Sequence, residues 1–303
     1  DLKRAVLSGD DAKVGLLLSN RRFTSLKLDR GITLLMVAAQ RGRTGSMPAR
    51  RRRTFHSRGV TGDMAEHEKS YTSGTSELPL LGLTIGDLFD QIVARYPGNE
   101  ALVCSQQGLR YSYRELKDEV DRCARALMAL GIEKGQRVGI WAPNRAEWTI
   151  TQFATSKIGA ILVNINPSYR LTEVQYALRQ SGCRWLVIAP EFKTSDYTGM
   201  LHELAPELAN GRPGRLEAKA LPDLRGVIRL GDAPSPGMLT WDELLAKAAA
   251  VSAEDLELRQ REQEFDDAIN IQYTSGTTGY PKGATLSHHN ILNDGYFTTE
   301  LLG

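Results

Sequence analysis

Cysteine is scarce in this 303-residue chain. The three present, Cys104, Cys123 and Cys183, show neither CxxC nor metal-ligand spacing. An odd, scattered count excludes a disulfide framework and fits small buried thiols in a reducing compartment. Histidine is as sparse: none of the five forms an HxxxH pair, so no metal motif is legible. No run of about 18 apolar residues occurs, which excludes a transmembrane helix as an expectation. No secretory pattern opens the chain, and residue 1 is Asp rather than Met, so a fragment or processed product is expected. Neither sign of charge dominates, the net being +2. The cytoplasm is the default compartment.

The near-neutral balance hides an asymmetry. Residues 1–63 carry 14 Lys/Arg against 5 Asp/Glu, and the remaining 240 carry 24 against 31. The excess centres on Arg50, Arg51, Arg52, Arg53 and Arg58. Such a block reads as a solvated, disordered linker, which we assign to residues 43–70. Nucleic-acid contact is not the expected role. A presequence following Met47, which would imply the mitochondrial matrix, needs an amphipathic helix with an apolar face. Pro48 and the few apolar residues here oppose it.

The front of the chain has its own period. Leu2, Ala5 and Gly9 recur 33 residues later as Leu35, Ala38 and Gly42. The stretch from Gly31 to Gly42 resembles an ankyrin repeat, with Leu34 and Met36 where that repeat has Pro and His. The resemblance implies an all-α, protein-binding segment over 1–42. It breaks after Gly42, and about three stacked repeats are needed to bury a solenoid core.

From about residue 71 the pattern changes. Thr84 with Asp87 starts a helix running to about Arg95, stopped by Pro97-Gly98. Ala101–Ser105 and Leu109–Ser112 read as a hairpin, and Ser112 with Glu115 opens a long helix through Leu130. A strand at Gln136–Trp141 follows, then a helix capped by Asn144 with Glu147 and ended by Gly159. Ile161–Asn164 is a strand, Thr172–Gln180 a helix, Trp185–Ala189 a strand, and Glu191–Leu208 mostly helical. After a loop over 209–225, Val227–Leu230 returns to strand. This alternation predicts an α/β layered fold with a largely parallel sheet.

The chemistry is concentrated at Thr274-Ser275-Gly276-Thr277-Thr278-Gly279-Tyr280-Pro281-Lys282-Gly283, directly after an apolar strand, Ile269–Tyr273. Glycines let the backbone wrap an anion and aim N–H groups at it. Four hydroxyls add donors, and Lys282 adds a positive charge behind Pro281. These are the parts of a polyphosphate cradle. A Walker A loop fails on spacing, because the fifth residue after Gly276 is Pro281 and Lys282 precedes Gly283 rather than Ser or Thr.

This string matches every fixed position of T-S-G-T-T-G-x-P-K-G, the phosphate-loop signature of the adenylate-forming superfamily, which includes acyl-CoA synthetases, peptide-synthetase adenylation domains and luciferases. Leu109–Leu116 is similar to that family's early L-T-Y-x-E-L motif. Asn164-Ile-Asn-Pro-Ser-Tyr-Arg170 with Gln180-Ser-Gly182 resembles fatty acid–CoA ligases, in particular the medium-chain type of bacteria and mitochondria. The stretch Ala284–Asn290 looks like the family's strand leading into a helix; His288 there either faces the nucleotide or caps the helix.

The resemblance implies an AMP-forming ligase that joins a fatty-acid carboxylate to CoA through an acyl-adenylate, consuming Mg2+-ATP. Thr274, Ser275, Gly276, Thr277, Thr278, Gly279 and Gly283 would cradle the β- and γ-phosphates, with Lys282 stabilising charge in the loop. It covers residues 71–303, the N-terminal portion of a full member. The motifs that hold adenine, ligate Mg2+ and supply the catalytic lysine of the small C-terminal domain are not in this sequence. The chain alone is therefore expected to be inactive and to carry an uncovered sheet edge. A start at Met64 would suit the enzyme, whereas the alternative is an ankyrin-type interaction scaffold bearing an inactive half-domain.

Overall fold

The computed structural model describes residues 79–274 and 281–302. The ankyrin-like segment 1–42 and the basic linker 43–70 lie outside the described residues.

Helix α1 (Ile85–Arg95) begins where Thr84 accepts from the Asp87 amide, and buries Ile85, Phe89, Ile92 and Val93. The hairpin β1 (Glu100–Cys104) and β2 (Leu109–Ser112) is antiparallel. Helix α2 (Tyr113–Ala129) opens on a complete capping box between Ser112 and Glu115. Its buried residues Leu116, Val120, Cys123, Ala124 and Leu127 form the single stripe that a 3.6-residue period produces.

The main sheet then builds up as β3 (Arg137–Trp141), β4 (Ile161–Asn164), β5 (Trp185–Ile188), β8 (Gly226–Arg229), β9 (Met238–Thr240), β10 (Ala268–Thr274) and β11 (Lys282–Ser287). Its spatial order is β11-β10-β4-β3-β5-β8-β9, parallel throughout except for the β10–β11 hairpin. The α/β reading with a largely parallel sheet therefore holds. The connecting helices are α3 (Ala146–Ile158), α4 (Leu171–Ser181), α5 (Tyr197–Leu204), α6 (Trp241–Ala246), α7 (Ala253–Arg261) and α8 (His288–Leu302). Strands β3 and β5 are apolar and buried almost end to end, as a sheet covered on both faces requires.

Two local expectations fail. Asn144 does not cap α3. The residue at its N-cap is Arg145, which makes no side-chain cap bond, and the Ala146 amide instead donates to Gln107 Oε1 at 2.8 Å. The cap comes from the β1–β2 hairpin 39 residues earlier, which spacing along the chain cannot show. Residues 191–208 are less helical than expected, because β6 (Glu191–Phe192) and β7 (Ser195–Asp196) form a small hairpin. Lys193 turns it with φ 54°, and Asp196 then caps α5 by accepting from Gly199. Gly159, by contrast, ends α3 in the left-handed conformation as its position suggested.

One charged cluster is built into the helical layer. Lys157 of α3 is 2% exposed and donates to Asp90 Oδ1 of α1 at 2.9 Å and Asp121 Oδ1 of α2 at 2.6 Å. Lys117 also reaches Asp90, at 3.1 Å, and Gln260 of α7 donates to Asp87 and Asp90. Four helices are thereby joined through one ammonium and its carboxylates. A buried cation persists only with such partners.

Candidate functional site

Strand β10 leads into the ten-residue string and contains its first residue, Thr274. Its alternate residues face opposite sides of the sheet. On one side Tyr273 donates from its hydroxyl to the Ala177 carbonyl of α4 at 3.0 Å, and burial pushes its phenol up to about 12. On the other, Asn270 is fully buried against α3. Its Nδ2 donates to Gln152 Oε1 at 3.0 Å, and its Oδ1 accepts from Asn164 Nδ2 at 2.9 Å. Asn164 is the last residue of β4, paired opposite Gln272.

The string leaves β10 at Thr274 and re-enters the sheet at Lys282. These two residues face each other as the last pair of the β10–β11 ladder, and Thr274 Oγ1 lies 3.5 Å from the Lys282 carbonyl oxygen, to which it donates. Both are exposed. Gly283 pairs with Tyr273, and a Cβ there would lie 3.1 Å from Ile271 Cγ2. Ser275, Gly276, Thr277, Thr278 and Gly279 lie outside the described residues. The structure therefore brings Thr274, Lys282 and Gly283 together at the stem, at the carboxyl end of a parallel strand, where open α/β sheets bind ligands.

The topological switch point itself is closed. Strands β4 and β5 lie on opposite sides of β3, so the crevice between β3 and β5 is the usual ligand position. Here Trp141, the last residue of β3, stacks on Tyr197 with ring centroids 3.7 Å apart. Both rings are fully buried, and the Tyr197 hydroxyl donates to the Pro167 carbonyl. The crevice is filled by the protein's own aromatics. The end of β10, two strands away, is open instead, with Thr274 and Lys282 both exposed.

His288, left open between two roles, is structural here. It is fully buried at the start of α8, and its Nδ1 accepts from the Ile85 amide at 3.1 Å. Burial holds its pKa down at about 4. Sequence reasoning did not single out Asn270 or Gln152, and it named Asn164 only as the end of a strand and the start of the 164–170 string. Asn270 did carry a signal, a polar residue between Ile269 and Ile271 in an otherwise apolar run.

The model of the AMP-binding enzyme family matches residues 89–301. The chain belongs to that family. It is 43% identical over 234 residues to the mitochondrial medium-chain acyl-CoA ligase ACSF2 of Danio rerio, and 43% identical over 236 residues to that of Homo sapiens. Each match covers 77% of this chain and 38% of the relative. The chain thus spans under two fifths of the length of these relatives, and it corresponds to their N-terminal part. Among solved structures, the inhibitor-bound N-terminal domain of FACL13 from Mycobacterium tuberculosis superimposes with a TM-score of 0.53 at 26% identity, covering 68% of this chain and 44% of that one. The matched range does not reach the ankyrin-like segment, whose interaction role gains no support. No helix among the described residues is long and apolar enough to cross a membrane.

Proposed function

We propose that this chain is the phosphate-binding, N-terminal portion of an ATP-dependent fatty acid–CoA ligase, acting on medium-chain acids. The observation that carries this reading is the Thr274–Lys282 pair at the carboxyl end of β10, which joins the first and ninth residues of the ten-residue string. In the proposed reaction a carboxylate oxygen attacks the α-phosphorus of ATP and pyrophosphate leaves. The CoA sulfur then attacks the acyl carbon of the adenylate and AMP leaves. Thr274, Ser275, Gly276, Thr277, Thr278, Gly279, Lys282 and Gly283 hold the β- and γ-phosphates, through backbone N–H groups, hydroxyls and one ammonium.

No three His, Cys, Asp or Glu side chains gather among the described residues to hold a metal ion. In this reading Mg2+ would accompany the ATP phosphates held by the string, where it would supply charge neutralisation. We further propose that the enzyme portion begins near residue 71 and that 1–42 and 43–70 are separate units. The mitochondrial designation of both relatives favours the mitochondrial matrix over the cytoplasm.

The test compares this chain with a longer one carrying the downstream sequence of the same gene. Both receive a medium-chain fatty acid, Mg2+-ATP and CoA, and AMP and pyrophosphate are monitored. Turnover by the longer chain alone is expected. Failure of the longer chain with every acid tried would sink the ligase reading.

A further inference from the structure

β10 meets the rest of the parallel sheet over only three residue pairs: Asn270 with Leu162, Ile271 with Val163, and Gln272 with Asn164. So short a ladder between apolar strands specifies register weakly. A two-residue slip would keep every side chain on its own face while moving β10 by about 6.6 Å along β4. The six-pair β10–β11 ladder would travel with it. Thr274 and Lys282 would then stand at a different height above the carboxyl edge of the sheet.

Tyr273 on one face and the ties of His288 and Asn293 beyond β11 oppose such a slip, and on the other face one fully buried amide does so within the sheet itself. Asn270, fully buried, is bonded on both sides, to Gln152 of α3 at 3.0 Å and to Asn164 of β4 at 2.9 Å. A valine or isoleucine would fill this position without needing partners. An amide buried without them leaves its donors and acceptors unsatisfied, which is costly in an apolar interior. A slip that sets Asn270 opposite Ala160 takes it away from both Asn164 and Gln152, and one that sets it opposite Asn164 still carries it about 6.6 Å along α3, away from Gln152.

We propose that Asn164, Asn270 and Gln152 form a register lock, and that Asn270 is a positioning residue that sets where Thr274 and Lys282 stand. The lock concerns the strand alone. Its consequence for phosphate binding rests on the functional reading above.

The test separates the two. In the full chain carrying Cys183→Ala, Val163→Cys and Ile271→Cys place cysteines on in-register partners, on the sheet face opposite Asn270. Neighbouring strands lie about 4.8 Å apart, within disulfide reach, and a two-residue slip takes the pair to about 8 Å, beyond it. Copper–phenanthroline oxidation, read by peptide mapping, gives the rate of bond formation. Inorganic tripolyphosphate, titrated by calorimetry into the chain without these cysteines, reports the stem.

Gln152→Leu, Asn164→Leu and Asn270→Leu are then combined. Replacing all three amides by apolar groups removes the unsatisfied donors and acceptors, so thermal stability is expected to stay near that of the parent. The lock predicts at least a fivefold slower disulfide and at least a tenfold weaker tripolyphosphate affinity despite that stability. An unchanged disulfide rate overturns it. Should the triple variant not fold, Gln152→Ala alone, at a half-buried position, must slow the disulfide at least twofold, and an unchanged rate there also overturns the lock. A slowed disulfide in a chain whose parent binds no tripolyphosphate upholds the lock and counts against the phosphate reading instead.

Discussion

The Ile85 amide donates to His288 Nδ1 at 3.1 Å, joining the first turn of α1 to the first residue of α8 across 203 positions of sequence. Five residues on, Asn293 accepts from the Leu81 amide at 2.7 Å and donates to the Leu81 carbonyl at 3.1 Å. The helix that follows the phosphate stem is thus tied to the stretch that leads into α1. Ile85 N–H is one of the helix-end donors left without an intrahelical acceptor, and His288 satisfies it only while Nδ1 is unprotonated.

That bond makes stability depend on pH. His288 is held neutral, down at about 4 against an ordinary 6.5, chiefly by burial; Asp267 and Asp87 pull it up and Lys134 pushes it down. Between those values the unfolded chain binds the proton and the folded chain does not, so stability rises with pH across the window and falls as pH drops from 6.5 towards 4. A loss on the order of 2–3 kcal/mol from this group is expected by pH 4. Melting temperatures recorded from pH 7 to pH 4 should show a slope that flattens in His288→Gln. An identical slope in both proteins would remove His288 as its source.

Lys157→Met should destabilise by about 2–4 kcal/mol, because Asp90 and Asp121 lose the buried ammonium between them. Urea unfolding measures this. Lys117, bonded to the same two carboxylates, remains and tempers the loss. Lys117→Met alone should cost less, since its side chain is about a third exposed and water screens it.

Gly226 leaves no room for a methyl group. A Cβ there would lie 2.3 Å from the Trp185 ring, which packs across the β5–β8 pair. Gly226→Ala must displace a large buried aromatic, and a cost of about 1–3 kcal/mol is expected. Near-ultraviolet circular dichroism should report the shift of the tryptophan together with a lower melting temperature.

Lys282 is the converse case, a charge whose removal should change binding and not folding. It is exposed and ends the β10–β11 ladder. Lys282→Ala is expected to leave the melting temperature within about 0.5 kcal/mol equivalent of the parent. Tripolyphosphate affinity should fall about tenfold, and the parent's affinity should weaken with added salt. Equal binding by both proteins would take Lys282 out of the site.

Local signals carried most of the architecture. Thr84, Ser112 and Glu115 announce their helices because a cap is a contact between residues three apart. Gly159 marks the end of α3 for the same local reason, its backbone taking φ 70°. The phosphate string is legible because its glycines, hydroxyls and lysine lie within ten residues, so its chemistry is written as spacing. Where a partner came from far along the chain, the reading failed: Gln107 caps α3 in place of Asn144. Between residues 231 and 267, β9, α6 and α7 went unassigned, although Thr240 with Glu243 and Ser252 with Asp255 are capping boxes that mark the two helices locally.

What the sequence determined by itself is the alternation of elements, the parallel α/β class and the family, through the ten-residue string, because each depends on residues close together in the chain. Tertiary structure decided the rest. It closed the switch point with Trp141 on Tyr197, gave His288 a structural role, and tied Asn270 to Gln152 and Asn164, 118 and 106 residues away. A hydrogen bond or ring stack acts over a few ångströms of space, and only folding brings such distant residues within that range.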